Sequence, residues 1–234
     1  RNSILGGLAL QSDTLGSNSV AVGYATLNTQ NFTTAVNAFN TAVGSLAGLS
    51  ITTGLQNTLT GGGAGDALTD ADNNVAVGFA ALSSDTFGTG SVAIGKDALF
   101  AQNYTTATTS HNVAVGRSAG ANVTTGIANT FIGSEAGDAI NTANSNVAIG
   151  YLALTSDTKG AQSVAIGQSA LQGQNLTTAT STFNVAVGFN AGAGITTGVQ
   201  NTIIGSSASD ALSDADFNTA MGYLALSSDT LGSK

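Results

Sequence analysis

Four acidic residues recur in a way that could do chemistry. Asp13, Asp85, Asp157 and Asp229 each occupy the centre of a Ser-Asp-Thr tripeptide and are spaced 72 residues apart. A repeated carboxylate in a turn could ligate a cation or serve as a catalytic acid. The same residue also closes Asx-turns, because its side chain bonds nearby backbone. The turn is the stronger reading. In a stacked repeat these carboxylates would stand on the order of 19 Å apart, too far to share an ion or a substrate.

Asp66, Asp70 and Asp72 form a denser group that returns as Asp210, Asp214 and Asp216. Oxygen-rich loops bind Ca²⁺ through about six to eight oxygens. The copy between them keeps only Asp138, with Thr142 and Asn144 in the other two places. Gly61-Gly62-Gly63-Ala64-Gly65-Asp66 approaches the calcium-binding nonapeptide of parallel β-rolls, but its glycines are out of step and the run does not recur at Gly133 or Gly205. No metal and no cofactor is expected. His111, the sole histidine, stands where sister segments have Phe39 and Phe183, which describes a ring-tolerant loop rather than a triad with Ser110 or Ser118. Glu135, the sole glutamate, is replaced by Gly63 and Ser207. A glycosidase needs two positioned carboxylates, and nothing singles out a pair. Lys96, Lys159 and Arg117 do not recur, as befits a solvated surface. The chain is not expected to be an enzyme.

Composition narrows the remaining classes. Charged residues make up 8% of the 234 positions, against a usual ~25%. There are 31 glycines, no proline and no cysteine, so disulfide frameworks and thiolate sites are excluded. A net charge of -8 argues against nucleic acid, whose binding rests on Lys and Arg neutralising phosphates. Apolar runs such as Val75 to Leu82 reach eight residues, short of the ~20 of a membrane span, so membrane insertion is not expected. Residue 1 is Arg, and the chain reads as part of something longer.

The elements that must position all these residues follow from one repeat. A pentad Asn/Ser-Val/Thr-x-Val/Ile-Gly ends at Gly23, Gly44, Gly61, Gly78, Gly95, Gly116, Gly133, Gly150, Gly167, Gly188, Gly205 and Gly222, with a degenerate copy ending at Gly6. Successive spacings are 17, 21, 17 and 17 residues, repeated. Thirteen coils of 17 or 21 residues therefore fill the chain in a 72-residue super-repeat, and residues 1–234 form a single repeat domain. Four coil types result, the second being the lengthened one. Each pentad reads as a short strand closed by a glycine corner. A coil this short cannot bury its apolar face alone, so the coils must stack as an all-β parallel solenoid, spanning roughly 60 Å at ~4.8 Å per strand. Identical residues then form ladders, and the absence of proline protects them. By residue size, the second and fourth pentad positions (Val, Ile, Thr) are expected inside. The third position, Ala in most coils and Leu59, Phe131 or Ile203 in the fourth type, is expected outside as a flat subunit interface.

The pentads Asn74-Val75-Ala76-Val77-Gly78 and Ser163-Val164-Ala165-Ile166-Gly167, with the Gly-x-x-Ala-Leu that follows, resemble two repeat families. One is the β-roll head of trimeric autotransporter adhesins. The other is the repeat shaft of phage tail fibres, whose connector Thr52-Thr53-Gly54, Thr124-Thr125-Gly126 and Thr196-Thr197-Gly198 resemble. The resemblance covers essentially the whole chain, and the 17-residue spacing favours the fibre family. It implies left-handed coils of β-roll type and a homotrimer.

The expected function is accordingly a structural fibre or adhesin segment, a rigid trimeric shaft that presents a receptor-binding tip for attachment to a cell surface. The expected location is extracellular, on a virion tail fibre or a cell surface, and the expected partner beyond the homotrimer is a cell-surface glycan or protein receptor. Two alternatives stand beside it: an ice-binding β-solenoid, and a trimeric autotransporter adhesin head binding host matrix. Ice binding is set lower because the threonines Thr41, Thr58, Thr130, Thr202 and Thr219 share the face expected to be inside. The lengthened coils are the expected lateral protrusions, with Phe32, Tyr104 and Leu176 as surface-contact residues.

Overall fold

A computed structural model describes residues 1–232. It is an all-β parallel solenoid of about thirteen turns, in two compact units, Arg1–Ala114 and Val115–Lys234. In the first unit, strands Ser3–Leu5, Val20–Val22, Thr41–Val43, Thr58–Thr60, Val75–Val77 and Val92–Ile94 pair in parallel. In the second, Thr130–Ile132, Val147–Ile149, Val164–Ile166, Val185–Val187, Thr202–Ile204 and Thr219–Met221 do the same. Each pentad position faces its own kind, as in Val75↔Val92, Ala76↔Ala93 and Val77↔Ile94. No helix among the described residues is long and apolar enough to cross a membrane.

The corner glycines meet both demands placed on them. Gly61 has φ 140°, and a Cβ there would overlap the carbonyl oxygen of Gly78 in the next coil. Beyond the corner the chain turns through residues that carry no sequence mark. Ala80 and Leu82 have φ of 52° and 54°, in the left-handed region that costs side-chain-bearing residues on the order of 1–2 kcal/mol each. The conformation is held because it aims successive amides at different coils. Ala80 N donates to Gly62 O at 3.0 Å, and Leu82 N donates to Ala98 O at 3.0 Å.

The two strand faces are the reverse of the expectation. Ala21, Ala42, Ala76 and Ala93 are fully buried, as are Leu59, Phe131 and Ile203. The valines and isoleucines on either side are half-buried or exposed. The reason is the width of the coil. Its interior is already filled from the opposite wall by Leu27, Ile51, Leu68, Leu82 and Leu99, all fully buried. A small side chain must therefore face them across the lumen. Where the strand supplies a large residue, the opposite wall gives way to glycine. A Cβ on Gly48 would lie 2.8 Å from Leu59 Cδ1, and one on Gly137 would fall on the ring of Phe131. Large and small side chains alternate to fill the core at native density.

Candidate functional site

The outward strand face repeats in every coil of each unit. In the first unit it carries Val20 and Val22, Thr41 and Val43, Thr58 and Thr60, Val75 and Val77, then Val92 and Ile94. In the second, Ile132, Val147, Ile149, Val164, Ile166 and their neighbours continue the pattern. No outward strand position holds a charged residue. A sheet face open to water is usually polar; this one is mostly Val and Ile, with threonine as its main polar residue. The same facing places Thr41, Thr58, Thr130, Thr202 and Thr219 outward, which removes one ground for ranking an ice-binding surface lower and leaves the other, their irregular alternation with valine.

The corner at the start of each pentad is held by a buried amide ladder. Asn40 Oδ1 accepts from Asn57 N at 2.9 Å, and Asn57 Oδ1 from Asn74 N at 3.0 Å. The side-chain amides of Asn40 and Asn57 donate to the carbonyls of Gly54 and Ala71. The second unit repeats this through Asn129, Asn146, Asn184 and Asn201. Every buried polar atom in such a ladder keeps a partner, which is the condition for burying it without penalty.

The recurring aspartates belong to this scaffold. Asp85 is fully buried and accepts from Gly88 N at 3.0 Å and Gln102 Nε2 at 2.6 Å. Gln102 Oε1 in turn accepts from Asn112 Nδ2 at 2.9 Å. Asp157, Gln174 and Asn184 repeat the relay, as do Asp13, Gln30 and Asn40. Gln30, Gln102 and Gln174 escape the sequence reading, although a signal exists. They occur only in the coils whose pentad begins with Ser19, Ser91 or Ser163, and Gln102 Nε2 donates to Ser91 Oγ at 2.8 Å. The long glutamine fills the space that the short serine leaves in the ladder. Burial raises the pKa of Asp85, and the hydrogen bonds from Gln102, Gly88 and Tyr104 offset this in part. Burial, and then the charge of Asp85, push the Tyr104 phenol up.

The three side chains expected to touch a surface partner do not reach the surface. Phe32, Tyr104 and Leu176 are 6%, 4% and 6% exposed. The inserted residues fold back instead, so that Thr108–Thr109 pairs with Gly88–Thr89 and Thr180–Ser181 with Gly160–Ala161. Each nominated side chain plugs the enlarged coil, because a longer loop encloses a void that an apolar group must fill. Their neighbours Asn31, Thr33, Thr105, Thr106, Thr177 and Thr178 are exposed, as are Phe39, His111 and Phe183.

The fourth-type acids hold backbone. Asp72 Oδ1 accepts from Leu55 N at 2.7 Å and Asp216 Oδ1 from Val199 N at 2.7 Å. Asn144 does the same for Ile127 N at 2.8 Å, so the position requires an oxygen and not a charge. Among the described residues no group of three or more His, Asp or Glu is placed to hold a metal ion. Ser110 is buried and bonded to Ser91, while Glu135 pairs with Arg117. Comparison with family models, with curated proteins and with solved structures gives no match.

Proposed function

We propose that the chain is a segment of an extracellular fibre or adhesin, built as a homotrimer of left-handed coils in a 72-residue super-repeat. Three copies bury their outward ladders on one another, and the resulting shaft holds a receptor-binding tip away from its anchor on a virion tail fibre or a cell surface. Its external partner is a glycan or protein receptor on the cell to which it attaches. The observation that carries this reading is the outward ladder of Val, Ile and Thr with no charged residue. Contiguous apolar faces of this kind mark interaction surfaces, and identical ladders at one repeat distance fit each other. Rotational symmetry then closes the assembly without leaving a sticky face. Ile94→Glu places a charge at the centre of that face and is expected to dissociate the trimer while the β circular dichroism is retained. An Ile94→Glu chain that sediments as the wild type does would refute the interface.

A second reading rests on the outward threonines. Thr41, Thr58 and Thr60 lie on one open sheet face, as a flat ice-binding array requires, though valines interrupt them. Thermal hysteresis in freezing solution would favour this reading over the fibre. The adhesin head that binds host matrix would share the trimer, and the 17-residue spacing favours the fibre shaft over it.

A further inference from the structure

A groove of about 450 Å³ opens on the first unit, lined by Phe79, Phe100, Leu46 and Asp66 among others. In several coils the residue after the corner glycine is an aromatic ring, as at Tyr24, Phe79, Tyr151, Phe189 and Tyr223. Between Tyr24 and Phe79 that place is taken by Ser45 and Gly62, which leaves the gap. Phe79 and Phe100 line it and are 62% and 45% exposed, joined by the side chain of Leu46. A Cβ on Gly62 would stand 3.5 Å from Phe79 Cδ2, and one on Gly63 would stand 3.7 Å from Asp66 Oδ2. The floor thus links an aromatic ring to a carboxylate through two adjacent residues.

Asp66 lines the groove, with Oδ2 as the oxygen nearest Gly63. Its Oδ1 is buried without a hydrogen-bond partner. The sister residue Asp138 accepts from Thr155 Oγ1, whereas Ser83, in the place of Thr155, lines the groove without making that bond. No Lys, Arg or His lines the groove, and the chain carries a net charge of -8. Burial raises the Asp66 pKa, and backbone hydrogen bonds from Asp66 and Ala67 offset this in part.

We propose that this groove binds a small primary ammonium ligand with an apolar ring, the ammonium on Asp66 Oδ2 and the ring against Phe79 and Phe100. Charge complementarity selects this ligand class. A primary ammonium brings both the N–H donor and the positive charge, and such charge-assisted bonds are about twice as strong as neutral ones. A cation near a phenyl face gains further from the ring quadrupole. A neutral alcohol supplies a donor without the charge, and a quaternary ammonium supplies the charge without a donor. The volume lies within the range of ~300–1,000 Å³ typical of small-ligand sites.

The test is calorimetric titration of the folded chain with cyclohexylamine, cyclohexanol and cyclohexyltrimethylammonium. Cyclohexylamine is expected to bind at least about tenfold more tightly than either comparison ligand, since each lacks one of the two matched features. Asp66→Asn is expected to remove that preference. Gly63→Leu is expected to abolish binding while the chain stays folded, because Leu8, Leu46 and Leu152 already occupy this coil position at φ of 58° to 63°. Equal binding of cyclohexanol, unchanged binding in Asp66→Asn, or no heat with the wild type would each overturn the proposal. The last outcome includes a groove sealed by a neighbouring subunit. None of these results bears on the shaft, since no outward strand residue lines the groove.

Discussion

At the scale of single residues, the corner glycines set the distance between coils. Their Cα hydrogens point at the carbonyl of the coil above, and one added carbon closes the gap that the ladder needs. Gly61→Ala is therefore expected to cost about 3 kcal/mol or more, from backbone strain and a direct overlap with Gly78. Gly7→Ala meets only Tyr24 Cδ2 at 3.8 Å and is expected to stay within about 1 kcal/mol. Chemical denaturation of both variants checks the contrast. These glycines were legible because the pentad repeats. The left-handed leucines were not, since Leu82 carries no local mark of a conformation that only neighbouring coils can enforce. Asp66 was legible as an acid but its buried, unbonded Oδ1 was not, because Thr155 bonds the sister Asp138 where Ser83 makes no such bond, and no motif records that difference.

Elements of three residues carry the core, and size proved a poor guide to which side of them is buried. The repeat, the parallel stacking and the asparagine corner could all be read from spacing. The facing could not, because both sides of the strand are apolar and only the narrowness of the coil decides between them. Ala76→Val is expected to destabilise by about 1–3 kcal/mol through overpacking, while Val77→Thr on the outer side costs less than about 1 kcal/mol. Thermal melts of the two variants report the order, and the reverse order would put the valines back inside. The lengthened element behaves likewise: its loop length suggested a protrusion, and the void it encloses drew Phe32, Tyr104 and Leu176 inward. Element packing also sets the pH response. Burial raises the pKa of Asp66, Asp72, Asp85 and Asp138 above the ordinary 3.8. The folded chain then binds protons more tightly than the unfolded one, so their contribution is greatest below the ordinary value and is lost as pH rises through the folded values. Self-repulsion at a net charge of -8 acts in the same direction. The melting temperature is expected to rise as pH falls from 7 towards about 4; a steady fall over that interval would contradict the assignment.

For the whole molecule, the sparse charge and the outer ladder of Val, Ile and Thr are what the proposed assembly accounts for, as a face that it would shield from water. The interior is filled by the buried alanines and leucines, while the outward valines and isoleucines are only half-buried or exposed in a lone chain, so part of their apolar area stays open to water. They gain a role when copies meet, each buried Val or Ile then contributing about 1.5–3 kcal/mol at most. The resemblance to fibre shafts implies three copies, and because the alanines are buried the proposed contact surface is the Val/Ile/Thr side. The most direct test is sedimentation equilibrium of the wild-type chain over a range of concentrations. Association through the outer ladder predicts a stable particle of three times the 22.8 kDa chain mass. A folded species that stays at 22.8 kDa would contradict it.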